Sequence, residues 1–309
     1  MINKIVDNIE KVIIGKREEI LLVINCLISG GHILIEDVPG VGKTRIVAAL
    51  AKSINASFKR IQFTADVLPS DITGFSIYNQ KTGDFEFKPG AVMSQFLLAD
   101  EINRTSPKTQ AALLEVMEER TVTVDGVTYN VPAPFMVMAT QNPVEFSGTF
   151  PLPEAQLDRF FIKISIGYPS KEDELRIMGM HKTGDPFDEL NAVVTTEDVL
   201  KMQQQVKQVY VAQSIAKYIV NIVDKTRNYE GIDMGASPRA SINLLRAAQA
   251  NAYINNRNFV IPDDVQYMAK YVLGHRVVLS EKLKFDGVTP EQIVDDILAK
   301  EKAPKGDNV

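Results

Sequence analysis

Four side chains stand where chemistry is possible: Lys43 and Thr44 close a glycine-rich turn, and Asp100 and Glu101 close an apolar run. The turn belongs to residues 32–44, HILIEDVPGVGKT, in which Ile33, Leu34 and Ile35 read as a buried strand. Gly40 and Gly42 let the backbone curl so that successive N–H groups converge on an anion. Lys43 then reaches terminal phosphates, and the Thr44 hydroxyl is set to ligate magnesium at the start of a helix whose dipole favours negative charge. The residues offered to a nucleotide are Val38, Pro39, Gly40, Val41, Gly42, Lys43, Thr44 and Arg45. Against the pattern G-x-x-x-x-G-K-[ST] there is one departure, Asp37 in place of the first glycine. That position only enters the loop, so its side chain can point away from the phosphates.

The second run, SQFLLADE at 94–101, ends in two carboxylates that a buried strand does not tolerate without a charge partner. Magnesium is such a partner. Asp100 can hold it through its water shell, while Glu101, facing the other way as strand neighbours do, can take a proton from water attacking a γ-phosphate. Standing alone, the pair reads equally as a solvated strand end.

Composition bounds the elements that must position these groups. The 309 residues, 45% apolar, suit a globular protein of one large or two ordinary domains. The single cysteine, Cys26, excludes an internal disulfide and fits a reducing compartment. No secretory leader is visible, and the longest apolar stretch, 20–28, is too short to cross a bilayer. The expectation is a cytoplasmic protein. A net charge of −5 argues against broad wrapping of nucleic acid, and three scattered histidines make no metal cluster.

The pattern predicts an α/β fold, with strands at 33–36, 58–63, 95–99, 134–140 and 160–166 and helices at 17–29, 43–54 and 106–119. From 169 onward it turns helical, at 171–182, 196–208, 211–230, 238–256 and 262–274. The expected domains are therefore 1–168, an αβα nucleotide-binding domain, and 169–309, all-helical. Two hairpins interrupt the first domain, at about 75–87 and at 121–131 around Asp125-Gly126. They are either surface decoration or elements that touch a substrate.

The ordered segments IIGKREEI (13–20), EDVPGVGKT (36–44), LADEINRTSPKTQAALLEVMEE (98–119), ATQNP (139–143), LPEAQLDRF (152–160) and GASPRA (235–240) resemble the AAA+ ATPases and, within them, the MoxR group. The resemblance covers nearly the whole chain. It implies a P-loop αβα domain with a C-terminal all-α lid, ATP and Mg2+ as ligands, and self-assembly into a ring, with six subunits expected. Its hairpins would be the helix-2 insert and the pre-sensor-1 hairpin. Asn142 would be sensor 1, although an Asn before Pro143 also simply makes a turn. Arg159 would be an arginine finger acting on a neighbour's nucleotide, with Arg104 as runner-up; an ion pair with Asp158 is the plainer reading. Arg239 would be the sensor-2 arginine, its planar fork suited to phosphate, or else a surface residue. Ile13, Ile14 and Gly15 would line the adenine pocket, or serve as core. The implied activity is magnesium-dependent ATP hydrolysis coupled to remodelling, assembly or maturation of client proteins, including those with von Willebrand factor A domains. Two alternatives stand beside it. One is an ATP-gated scaffold with slow turnover. The other is a nucleic-acid motor, for which hairpins carrying Lys81 as their one basic residue leave a weak footprint.

Overall fold

The computed structural model describes residues 1–38, 40–142, 148–180, 182 and 184–304. The chain makes two compact units interleaved in sequence: 1–24, 32–153 and 164–200 form the first, and 25–31, 154–163 and 201–309 the second.

The first unit opens with α1 (Ile2–Ile9), whose Ile2, Ile5, Val6 and Ile9 recur at helical spacing and are buried. Then come α2 (Arg17–Ser29), β1 (Ile33–Glu36), α3 (Lys43–Ser53), β2 (Phe58–Gln62) and a short α4 (Pro69–Thr73). A hairpin of β3 (Gly74–Asn79) and β4 (Asp84–Pro89) leads to β5 (Phe96–Asp100) and α5 (Pro107–Glu119). Ser106 caps α5, accepting from Thr109 N at 3.3 Å, with Pro107 at the first helical position. A second hairpin, β6 (Thr121–Val124) and β7 (Val127–Asn130), turns on Asp125 and Gly126, both at positive φ as a tight turn requires. Phe87 and Tyr129 stack at 4.1 Å between the two hairpins.

β8 (Met136–Gln141) completes the centre of a five-stranded sheet, followed by α6 (Glu154–Leu157) and β9 (Ile162–Ile164), in the order β2-β5-β8-β1-β9. β2 pairs with β5, β5 with β8, and β8 with β1, all in parallel. β5 is buried throughout and β8 is buried up to Gln141, as unbroken apolar runs in a covered parallel sheet must be. The strand expected over 160–166 shortens to three residues, because 165–167 leave the ladder to bond Asp37.

α7 (Lys171–Met180) and the start of α8 (Thr196–Lys207) also lie in the first unit. The second unit takes in the end of α2, α6 and the rest of α8, and continues with α9 (Gln213–Arg227), β10 (Ile232–Met234), α10 (Pro238–Ile254), α11 (Pro262–Leu273), β11 (Val278–Leu279), α12 (Glu281–Phe285) and α13 (Pro290–Lys300). Its core is helix on helix, chiefly α9, α10, α11 and α13, with β10 and β11 paired antiparallel. α1, α13 and the β10–β11 pair were not expected from the sequence. α13 carried a legible signal: Thr289 N donates to Gln292 Oε1 at 2.9 Å and Gln292 N to Thr289 Oγ1 at 3.3 Å, a capping box with Pro290 inside it.

Candidate active site

The glycine turn joins the end of β1 to α3. Gly40 and Gly42 stand at φ +89° and +91°, a left-handed conformation that L side chains rarely adopt. A methyl group added at either would meet nothing within 4 Å, so the backbone conformation, not space, demands glycine there. Pro39 lies outside the described residues. The Lys43 ammonium lies back over the loop, donating to the carbonyls of Asp37 at 2.8 Å and Val38 at 3.2 Å. Thr44 follows in the first turn of α3. The Arg45 guanidinium is engaged by the Asp185 carboxylate and sits 5.9 Å from the Phe187 ring centroid.

Asp37, the departure from the glycine pattern, is buried at 7% exposure, its carboxylate shared between the 165–167 turn and the N–H that enters the loop. One carboxylate oxygen accepts from Ile166 N at 2.6 Å, Gly167 N at 2.7 Å and Ser165 Oγ at 3.1 Å. The other accepts from Val38 N at 2.9 Å.

The strand ends at Asp100, so the expectation that Glu101 continues it is corrected. Glu101 takes φ +58° and ψ +51°, uncommon for a residue with a Cβ. Its N–H donates to Thr140 Oγ1 at 2.8 Å, and the Thr140 hydroxyl donates to Asp100 Oδ1 at 2.6 Å. Glu101 Oε2 accepts from Gln62 Nε2 at 2.8 Å and lies 3.1 Å from Arg104 Nε. Asp100 Oδ2 accepts from Arg60 Nη2 at 2.7 Å and Nε at 3.2 Å. The strand tip is therefore held from both neighbouring strands.

The next residue of the central strand holds the loop. Gln141 O accepts the N–H of Asp37 at 3.1 Å. Thr140 and Gln141, consecutive in β8, thus fix the strand-tip acid on one side and the glycine loop on the other. Asn142 follows directly and is buried at 7% exposure. A cradle of backbone N–H groups, an ammonium, a hydroxyl and two carboxylates is a donor set suited to a polyphosphate with magnesium, which binds through few protein oxygens plus phosphate. Among the described residues no cluster of three or more His, Cys, Asp and Glu makes a metal cage.

Ile13 and Ile14 are each 8% exposed, and Gly15 adopts φ +72° against the Asp173 carboxylate. Arg159 and Arg239 belong to the second unit. There Asp158 Oδ1 accepts from Arg276 Nε at 2.7 Å and Oδ2 from Ser237 Oγ at 2.9 Å, which sets the segment carrying Arg159 beside the start of α10, where Arg239 sits. Arg276 also donates to Asp158 O at 3.0 Å and Phe161 O at 3.3 Å, and to the carbonyls of Phe160 and Val272. Burial brings its pKa down to about 10, with Asp158 opposing. His275 beside it is held well below the ordinary histidine value by burial, its Nε2 3.1 Å from Phe160 O.

Sequence reasoning missed Arg60, Gln62, Thr140, Ser237 and Arg276. Arg60 and Gln62 alternate on β2, a signal that by itself reads as the solvated face of an edge strand. Only the register, Gln62 opposite Asp100, brings them to the site.

Residues 32–162 match the ATPase family associated with various cellular activities, and 224–297 match the AAA lid domain. The Bacillus subtilis protein YeaC is 53% identical over 98% of this chain and 95% of its own length. The Mycobacterium tuberculosis chaperone MoxR1 is 42% identical over 94% of this chain and 79% of its own. A crystal structure of a Cytophaga hutchinsonii protein inferred to be an ATPase superposes with a TM-score of 0.91 at 43% identity, covering 98% of this chain and 96% of that one.

Proposed function

The chain belongs to the MoxR group of AAA+ ATPases, and on that footing we propose that it hydrolyses ATP with magnesium to remodel, assemble or mature client proteins, working as a ring of like subunits. Six subunits are the expected number, and clients with von Willebrand factor A domains the expected class. Residues 1–168 carry the nucleotide in this reading, and 169–309 act as the lid.

The observation that carries it is the pairing of loop and acid on adjacent residues of β8, Thr140 holding Glu101 and Gln141 holding Asp37. In the reaction, the backbone N–H groups of residues 40–44 cradle the phosphates, and Lys43 exchanges two carbonyls for the β- and γ-phosphates. Glu101 takes a proton from the water whose oxygen bonds to the γ-phosphorus as the bond to ADP breaks. Asn142, at the end of the strand between them, orients that water. Thr44 and Asp100 would hold magnesium, which would neutralise phosphate charge. Ile13, Ile14 and Gly15 receive the base, and Arg239 reads the γ-phosphate from the lid. Arg159 reaches a neighbouring subunit's nucleotide, with Arg104, which lies 3.1 Å from its own chain's Glu101, as the alternative finger.

The test is ATP affinity of Lys43→Ala, read by titration with a fluorescent ATP analogue. Affinity should be lost or severely weakened, because the loop's one full positive charge is gone. An unchanged affinity would show that the loop is not the site.

A further inference from the structure

Asp37 occupies a position where the phosphate-loop pattern asks for glycine, and a buried carboxylate there needs a reason. Its oxygen receives two successive backbone N–H groups, Ile166 and Gly167, plus the Ser165 hydroxyl. Converging main-chain donors of this kind bind an anion tightly, and Gly167 at φ +66° completes the turn. The same turn is gripped from its carbonyl side. Lys16 Nζ donates to Ile166 O at 2.5 Å and to Tyr168 O at 3.2 Å. Lys16 directly follows Ile13, Ile14 and Gly15, and Gly15 packs so closely on Asp173 that an added Cβ would lie 2.2 Å from a carboxylate oxygen. The base-side segment and the phosphate loop, distant in sequence, are therefore tied to one turn: Lys16 holds its C=O groups and Asp37 its N–H groups.

We infer that Asp37 is a positioning residue that sets the phosphate loop at a fixed distance from the base-side segment, so that ATP meets both at once. The inference rests on the nucleotide reading above. A ligand that spans both segments gains from their preset spacing, whereas one that touches the loop alone does not. Asp37 contacts no phosphate itself. Removing it restores the ordinary glycine and leaves every phosphate-facing residue in place.

Affinities of ATP and of inorganic tripolyphosphate, each with magnesium, are compared by calorimetry in the full chain. In Asp37→Gly the preference for ATP over tripolyphosphate should shrink on the order of 10-fold, within the range usual for coupled sites, with tripolyphosphate binding little changed. Lys16→Met, which releases the same turn from its other side, should shrink it in the same sense, and the double variant should lose less than the two singles combined. The Lys16 variant also decides the matter if Asp37→Gly does not fold. Equal loss of both ligands, or an unchanged preference in either folded variant, overturns the inference. A wild-type chain that binds no ATP would instead defeat the nucleotide reading.

Discussion

The strand tip at 100–101 and the cluster around 158–161 both set guanidinium against carboxylate, in opposite surroundings. At the tip the guanidiniums are half-exposed, the side chain of Arg60 at 48% and that of Arg104 at 41%, against carboxylates at 12% for Asp100 and 23% for Glu101. In the cluster the side chain of Arg276 is 1% exposed and donates to Asp158 and to four carbonyls. A guanidinium that is itself half in water is exchanged more readily than a buried one, since solvent can take over its hydrogen bonds. A buried pair, once broken, leaves a charge without compensation. On the proposed mechanism, the difference separates groups that change partners during a turnover from groups that hold geometry. Variants of the first kind should lose turnover and keep stability; variants of the second kind should lose stability first.

Arg159→Ala gives the largest expected effect. As a finger it should cost hydrolysis on the order of 10³-fold, with ATP binding and melting temperature kept. Mixing it with Glu101→Gln subunits should restore partial phosphate release, since an interface can then pair an intact Glu101 with an intact Arg159. No recovery at any ratio, with mixed assembly verified by mass, would return Arg159 to the structural class. Arg276→Met should behave oppositely, lowering unfolding stability by about 3 kcal/mol in urea titration, because Asp158 and the 158–161 carbonyls lose their shared donor. Stability within error of wild type would erase the distinction.

A smaller, pH-dependent effect sharpens the comparison inside the first unit. His32 is buried, accepting from Val137 N at Nδ1 and lying 3.0 Å from Met117 O at Nε2, so both ring nitrogens are committed in the neutral form. Burial lowers its pKa from 6.5 to about 4. The unfolded chain then binds the extra proton first, so stability is full above pH 6.5 and falls as pH drops toward 4. The loss should be roughly 1 kcal/mol near pH 5.5. Denaturant midpoints across this window should slope in wild type and flatten in His32→Gln; equal slopes would remove His32 from the account.

Much of this was legible in the sequence, where local rules decide. Gly40, Gly42 and Lys43 announce their turn because only glycine enters positive φ cheaply, and Ser106-Pro107 announces α5 because capping acts over one turn. What was not legible depends on register and on distant chain. Gln62 reaches Glu101 only because β2 pairs with β5 one way and not another. Arg276 reaches Asp158 across 118 residues, and nothing near GHR in the sequence marks it. Glu101 read as a strand residue because alternation carries no sign of a left-handed turn; Thr140, from the neighbouring strand, accepts its N–H there.

The central claim is that Glu101 acts as the base for an ATP held by the loop, and Glu101→Gln tests it most directly, with ATP binding and phosphate release measured on the same preparation. The amide keeps the side chain's shape and leaves Thr44, Asp100 and the loop intact. ATP affinity and melting temperature should stay at wild-type values while turnover falls on the order of 10²-fold or more. Turnover near wild type, with binding retained, would contradict the account and pass the role of base to Asp100.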